Sequence, residues 1–296
     1  MNFGRRTLVV TGASGHLGRR AVELLLDAEA GSIVATTRSP EKLVPLADRG
    51  AEIRRADFDD PVSLIDAFAG ADRLLLISTD AVGRRLTQHR AAIGAALRAG
   101  VQHVVYTSLP NPEKWGANFA AEHAETETAL RASGLGWTML RNNLYSDHLL
   151  TKLSDAIASG KLVAAAGDGG AAYVTREDCA GASAAALASS DFDGRTFDVT
   201  GPAAVTHAEL AKIASDISRS RVEYLATPSG NDFEVGIAKG YLETITGSVE
   251  ELTGYPPTSV AEFLSENADI LIEAAEPPAS AANRKTSGRP AGSRRP

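Results

Sequence analysis

Three glycines at three-residue spacing, Gly12, Gly15 and Gly18, follow a short β-rich apolar run at residues 7–11. From Leu17 the pattern turns helical, with Leu17, Ala21, Leu24 and Leu25 on one face. Strand, glycine turn and helix, in that order, can hold a pyrophosphate. Unpaired main-chain N–H groups and the helix dipole meet the anion at the helix N-terminus. A Cβ at the closest points would hold the phosphates off, so Gly12 and Gly15 suit them; one turn into the helix, a side chain at Gly18 would strike the strand. Ser14, His16 and Leu17 belong to the same cofactor-binding turn. A glycine-rich loop that binds nothing would not need this strand and helix around it, so the context favours a dinucleotide site.

The other candidate residues fall at strand ends. The second strand, 32–37, runs into Arg38, with no acid where a dinucleotide fold meets the adenosine ribose. An acid there would take the free 2′-hydroxyl of NAD, whereas an arginine accommodates the 2′-phosphate of NADP. The planar fork of Arg38 matches phosphate oxygens and points to NADPH, the alternative being an ordinary solvated arginine. Asp57 and Phe58, leaving a third strand at 51–58, either flank the adenine or open an Asp-capped helix at 61–68. Ser78 and Thr79 sit at the C-terminal edge of a fourth strand, 72–78, where open α/β sheets bind ligands. Thr107 and Ser108 end a fifth, 101–107; Asn142, Asn143 and Tyr145 follow a sixth, 137–141.

Helices at 84–99 and 117–132 separate these later strands, so β and α alternate through residues 1–150. That alternation predicts an α/β fold with a doubly wound parallel sheet, a Rossmann domain. The second half is less regular. A helix is expected at 151–159 and an Ala-rich helix late in 171–187. A strand at 196–200 could return to the main sheet, so that 175–202 rejoin the first domain. Thr206 and Glu209 form a capping box, with a strand expected at 221–226 and a last helix at 260–273. Residues 151–275 therefore read as a smaller, mostly α substrate lobe closing over the nicotinamide end. From 276 to 296 little but Pro, Ala, Ser, Gly, Arg and Lys remains; a basic, disordered tail is expected.

Composition bounds the function. With 296 residues and 44% hydrophobic content the chain can bury one large core or two joined lobes. A net charge of −7 argues against a general nucleic-acid binder. The single cysteine, Cys179, cannot form an internal disulfide, which suits a reducing cytoplasm. The apolar run near the start is too short for a signal peptide, and no stretch is long enough to span a bilayer. Neither nucleic acid nor membrane is expected as a partner, no metal ligand set is expected, and the chain reads as a monomer or homodimer.

Several segments together carry a family resemblance. They are Thr11-Gly12-Ala13-Ser14-Gly15-His16-Leu17-Gly18, Thr37-Arg38-Ser39-Pro40, Ala56-Asp57-Phe58-Asp59-Asp60, Leu74-Leu75-Leu76-Ile77-Ser78, Gln88-His89-Arg90, Tyr106-Thr107-Ser108-Leu109, Glu122-His123-Ala124-Glu125-Thr126-Glu127 and Leu140-Arg141-Asn142-Asn143. Gly167-Asp168-Gly169 and Thr175-Arg176-Glu177-Asp178 extend the match into the second half. The chain resembles an atypical short-chain dehydrogenase/reductase of the NmrA-like group, in the branch of NADPH:quinone oxidoreductase type 2 and triphenylmethane reductase. The resemblance implies an NADPH-dependent reductase of a small planar conjugated acceptor, quinone-like. It also implies that His123 stands where ordinary family members carry the catalytic lysine, and Phe119 where they carry the tyrosine. His123, Asn142 and Tyr145 are then the catalytic candidates. His123 would hold the nicotinamide ribose and relay a proton, with an exposed helix histidine as the alternative. Thr107 and Ser108 would line that ribose, and Asn142 and Asn143 would contact the carboxamide or acceptor. Each of these four could instead cap a loop. Tyr145 would wall the acceptor or pack in the core.

Without the phenol the chemistry still works for such acceptors. A ketone yields a localised alkoxide that needs an acid, whereas a quinone yields a delocalised anion and a dye cation needs no proton. Two other classes stay open on sequence: a redox-sensing regulator that binds the dinucleotide without turnover, and an epimerase-like or dehydratase-like enzyme, which the missing tyrosine and lysine disfavour.

Overall fold

The computed structural model describes residues 6–275. Its strands are β1 Thr7–Val10, β2 Ser32–Thr37, β3 Glu52–Arg55, β4 Arg73–Leu76, β5 His103–Ser108, β6 Gly136–Asn142, β7 Lys161–Ala164, β8 Gly170–Ala171, β9 Thr196–Val199, β10 Val205–Thr206 and β11 Glu223–Ala226. Its α-helices are α1 His16–Asp27, α2 Val44–Ala47, α3 Pro61–Phe68, α4 Arg85–Ala99, α5 Asn118–Ala132 and α6 Asp147–Ser159. They continue with α7 Arg176–Ala188, α8 His207–Ser218, α9 Asp232–Ala238, α10 Ser248–Thr253, α11 Val260–Glu266 and α12 Ala268–Ala275.

Seven strands form one parallel sheet in the order β3-β2-β1-β4-β5-β6-β9. Strand side chains alternate between faces, and each face has its own core. Leu8, Val10, Leu75, Val105 and Leu140 join one cluster with α1 and α7. Val9, Leu74, Leu76, Val104, Tyr106 and Met139 join another with α3 and α4. Covered on both faces, the strands become near-continuous apolar runs. Each fully buried leucine contributes about 1.5–3 kcal/mol over an exposed one. The chain reverses direction across the sheet between β1 and β4, which opens a crevice beyond their C-terminal ends.

A third cluster gathers α6, α8, α9, α11 and α12 around paired β7 and β11 as a smaller unit, and Leu109, Trp115 and Ala120 of the main body join it. Asp147 ties it to the main body: its carboxylate accepts from the Arg176 main-chain N–H at 2.9 Å and from the Arg176 guanidinium. That tie sits in the first turn of α6, which begins at Asp147 rather than at Thr151 as the sequence pattern predicts. The predicted last helix is two. Asn267 interrupts it, its side-chain amide donating to the Phe263 carbonyl at 2.8 Å, a local bond that competes with the helix ladder. The basic tail expected at 276–296 lies outside the described residues.

Candidate active site

The glycine turn is built as a phosphate cradle. Gly12 sits at φ +63°, a left-handed conformation that a residue with Cβ rarely adopts. Gly15 is the N-cap of α1, with no side-chain cap bond, and the first turn of α1 holds no acid. The positive end of that helix is therefore left to a ligand. A Cβ on Gly18 would lie 2.5 Å from the Gly12 carbonyl oxygen, so the group it would strike is the turn, not the strand as expected from sequence. A Cβ on Gly15 would meet only the Gly12 carbonyl, at 3.4 Å. The fold thus has room for a methyl group at Gly15, unlike at Gly18.

A cavity of about 400 Å³ opens from this turn. It brings together Gly12, Ser14, Gly15, Arg38, Asp57, Phe58, Ser78 and Thr79, all candidates from the sequence. Arg38 is exposed, with no carboxylate within ion-pair distance among the described residues, so its guanidinium is open to a phosphate. Ser14 Oγ accepts from Thr37 Oγ1 at 3.0 Å. Asp57 Oδ1 accepts the Asp59 N–H at 3.1 Å, and Phe58 meets His89 edge-on. The Thr79 N–H donates to His89 Nε2, and its hydroxyl to Gln88 Oε1 at 2.8 Å. The Thr36 hydroxyl, a cavity wall that sequence reasoning missed, is buried without a hydrogen-bond partner among the described residues.

Three expected positions lie off this cavity. Leu17 is buried in the core and Gly18 is covered by the turn, so neither offers a side chain to a ligand. His16 is exposed on the first turn of α1 but lines neither this cavity nor the next. What these positions could offer is main-chain N–H groups.

A second cavity, about 460 Å³, meets the first at Ser78. Its sheet-side wall holds Ser108, His123, Asn142, Asn143 and Tyr145. His123 is 7% exposed, so it is not a surface histidine. The Tyr106 hydroxyl lies 2.7 Å from His123 Nδ1. With the phenol donating, Nε2 carries the hydrogen, and Nε2 makes no hydrogen bond among the described residues. Burial, with Arg85 nearby, pulls this imidazole down to about 3, so it is neutral at physiological pH. Asn142 donates to the Tyr145 hydroxyl at 3.3 Å, while its Oδ1 is buried with no partner among the described residues. An orphaned carbonyl beside the cavity suits the amide hydrogens of a nicotinamide. Tyr145 lines the cavity and also packs on the core, stacked on His148 with Arg176 over its ring. Burial pushes its phenol up, so it is not an anion near neutrality.

Other expected residues are spent internally. Thr107 lines neither cavity; its hydroxyl oxygen accepts the Ser78 N–H at 2.9 Å and fixes the strand end where the cavities join. Asn143 donates to the Leu242 carbonyl and accepts the Leu144 N–H, so it anchors a loop with one amide hydrogen and one oxygen lone pair left over. Ser108 donates to Glu127 Oε1 at 2.7 Å. Burial alone would raise the Glu127 carboxyl, but hydrogen bonds from Arg141 and Ser108 hold it below the usual carboxylate range. The result is a fixed brace across β5, α5 and β6.

The opposite wall comes from the smaller unit and was missed in the sequence: Lys152 on α6, Tyr173, and Asn231, Phe233 and Glu234 at α9. Asn231 caps α9 by accepting the Glu234 N–H at 3.0 Å, a cap-and-acid spacing that could have been read. Phe119, at the expected tyrosine position, packs with Trp115 and Phe233.

The groove fits a dinucleotide: an uncapped helix end, a turn that a Cβ would distort, a free arginine at the second strand, and orphaned polar atoms at both ends. The model of a family described as NAD(P)H-binding matches residues 12–190. The chain belongs to that NAD(P)H-binding family. Quinone oxidoreductase 2 of Escherichia coli (strain K12) is 36% identical over 278 residues, covering 87% of this chain and 97% of the relative. The crystal structure of an Escherichia coli NADPH-dependent quinone oxidoreductase complexed with NADPH superposes with a TM-score of 0.84 at 35% identity, covering 88% of this chain and 99% of that one. Triphenylmethane reductase of a Citrobacter species, complexed with NADP(H), gives a TM-score of 0.81 at 31% identity, covering 88% and 99%. No helix among the described residues is long and apolar enough to cross a membrane.

Proposed function

We propose that this protein is an NADPH-dependent oxidoreductase that reduces a quinone or a similar planar conjugated acceptor. The observation that carries the reading is the pair of cavities joined at Ser78: one shaped for the adenosine and phosphates, the other broad, largely apolar and walled by Tyr145, Phe233 and His123. Similarity to quinone and dye reductases over nearly the whole chain supports the acceptor class. The bound cofactor would supply a hydride at its nicotinamide end.

This chain's residues bind and orient. Gly12, Gly15 and the N-terminus of α1 hold the pyrophosphate; Arg38 holds the 2′-phosphate. Asn142 Oδ1 fixes the carboxamide and His123 Nε2–H donates to the nicotinamide ribose or an acceptor oxygen, positioned by Tyr106. His123 acts as a neutral donor, since burial disfavours its imidazolium. Holding a flat acceptor against the nicotinamide is the main catalytic device, because no localised alkoxide has to be protonated. A reducing cytoplasm suits the one buried, unpaired cysteine, and a monomer or homodimer needs no further element at the site.

The test is NADPH oxidation, followed at its near-ultraviolet absorbance, against a panel of quinones and cationic dyes. Consumption well above background with at least one panel member is expected. NADPH binding without turnover on any of them would replace this reading with a redox-sensing role.

A further inference from the structure

Lys152 enters the acceptor cavity from the smaller unit, opposite the sheet. Its ammonium lies 3.0 Å from Glu234 Oε1 and 3.1 Å from His207 Nε2. An ammonium has no lone pair, so His207 accepts and its imidazole is neutral. Glu234 Oε2 accepts the Ala165 N–H at 3.1 Å, so both carboxylate oxygens are taken. Lys152 has three hydrogens and spends two. Its side chain is 30% exposed against 13% for Glu234, so the open end of the pair is the donor.

We propose that Lys152 is a specificity determinant for the acceptor, giving its free N–H to an acceptor oxygen and so favouring quinones over cationic dyes of similar size. This rests on the acceptor reading above. A neutral quinone that takes a hydride from NADPH becomes a hydroquinone anion, completed by a proton from solvent, while NADPH leaves as NADP⁺. A triarylmethyl cation takes the same hydride and becomes neutral. Lys152 gains attraction as the first reaction proceeds and repels the starting state of the second.

The experiment compares menadione and malachite green in wild type, Lys152→Met and Glu234→Gln. Lys152→Met removes the donor and leaves a carboxylate facing the cavity. Its kcat/KM for menadione should fall roughly tenfold or more, the scale of a lost charge-assisted hydrogen bond, while that for malachite green holds or rises. Glu234→Gln should move the ratio the other way. Equilibrium dialysis of malachite green with protein saturated in NADP⁺, where no hydride is available, should show tighter binding to Lys152→Met and weaker binding to Glu234→Gln. Equal changes for both acceptors, or dialysis constants unmoved by either variant, would overturn the proposal. If Lys152→Met does not fold, the Glu234→Gln arm decides alone. If neither acceptor is turned over, the reductase reading fails while dialysis still judges Lys152.

Discussion

Arg38 is open to solvent just after β2 and lines the first cavity. Arg38→Ala should weaken NADPH by roughly ten- to a hundredfold, the value of a charge-assisted contact, and leave NADH nearly unchanged; titration of both cofactors checks this. Equal losses would remove Arg38 from the argument. His123 makes a different kind of contribution. His123→Ala should slow quinone reduction while changing NADPH affinity by about a kcal/mol, the worth of one hydrogen bond. Phe119→Tyr should do little for a quinone, because Phe119 packs among Trp115 and Phe233 and no localised alkoxide awaits a phenol. Residue identities at strand ends were legible because they follow local patterns. Their partners were not: only the fold shows that Thr107 accepts from Ser78 and that Asn143 donates to the Leu242 carbonyl.

At the scale of elements, the glycine turn separates structure from ligand binding. Gly18→Ala places a Cβ against the backbone of its own turn, at 2.5 Å from one carbonyl oxygen, so it should cost about 1–3 kcal/mol of stability by overpacking. Gly15→Ala meets only a 3.4 Å contact and should leave the melting temperature nearly unchanged while weakening NADPH. If both lose stability equally, Gly15 is a folding residue. Helix α9 offers a matching test on the acceptor side. A Cβ at Gly236 would sit 2.4 Å from the buried Trp115 ring, so Gly236→Ala should shift α9, raise KM for the acceptor and spare NADPH affinity. This helix was invisible to periodicity because it is short, and its wall residues face partners distant in sequence, as Lys152 and Glu234 do. The strands and long helices were legible because their apolar spacing is imposed by the two faces of one sheet.

At the scale of the whole molecule, the pH response should be one-sided. Burial, the largest cause in each case, pulls His89 and His123 down to about 3, and His103 and His207 to about 4. An unfolded histidine binds a proton near pH 6.5, so the folded state binds fewer protons below that value. The stabilisation is complete above about pH 6.5 and is lost as pH falls towards 4, by about 1.4 kcal/mol per pH unit for each such histidine. The urea midpoint should therefore drop between pH 7.5 and 5; a flat midpoint would contradict the neutral buried histidines. The two cavities that share Ser78 lead to the central claim, that hydride transfer occurs where they meet. The most direct measurement is NADPH consumption with a quinone in wild type, Gly15→Trp and His123→Ala. Turnover in the wild type, abolished by the indole that blocks the phosphate cradle and only slowed without the imidazole, is the expected result. Turnover that survives Gly15→Trp would place the reaction elsewhere and contradict the account.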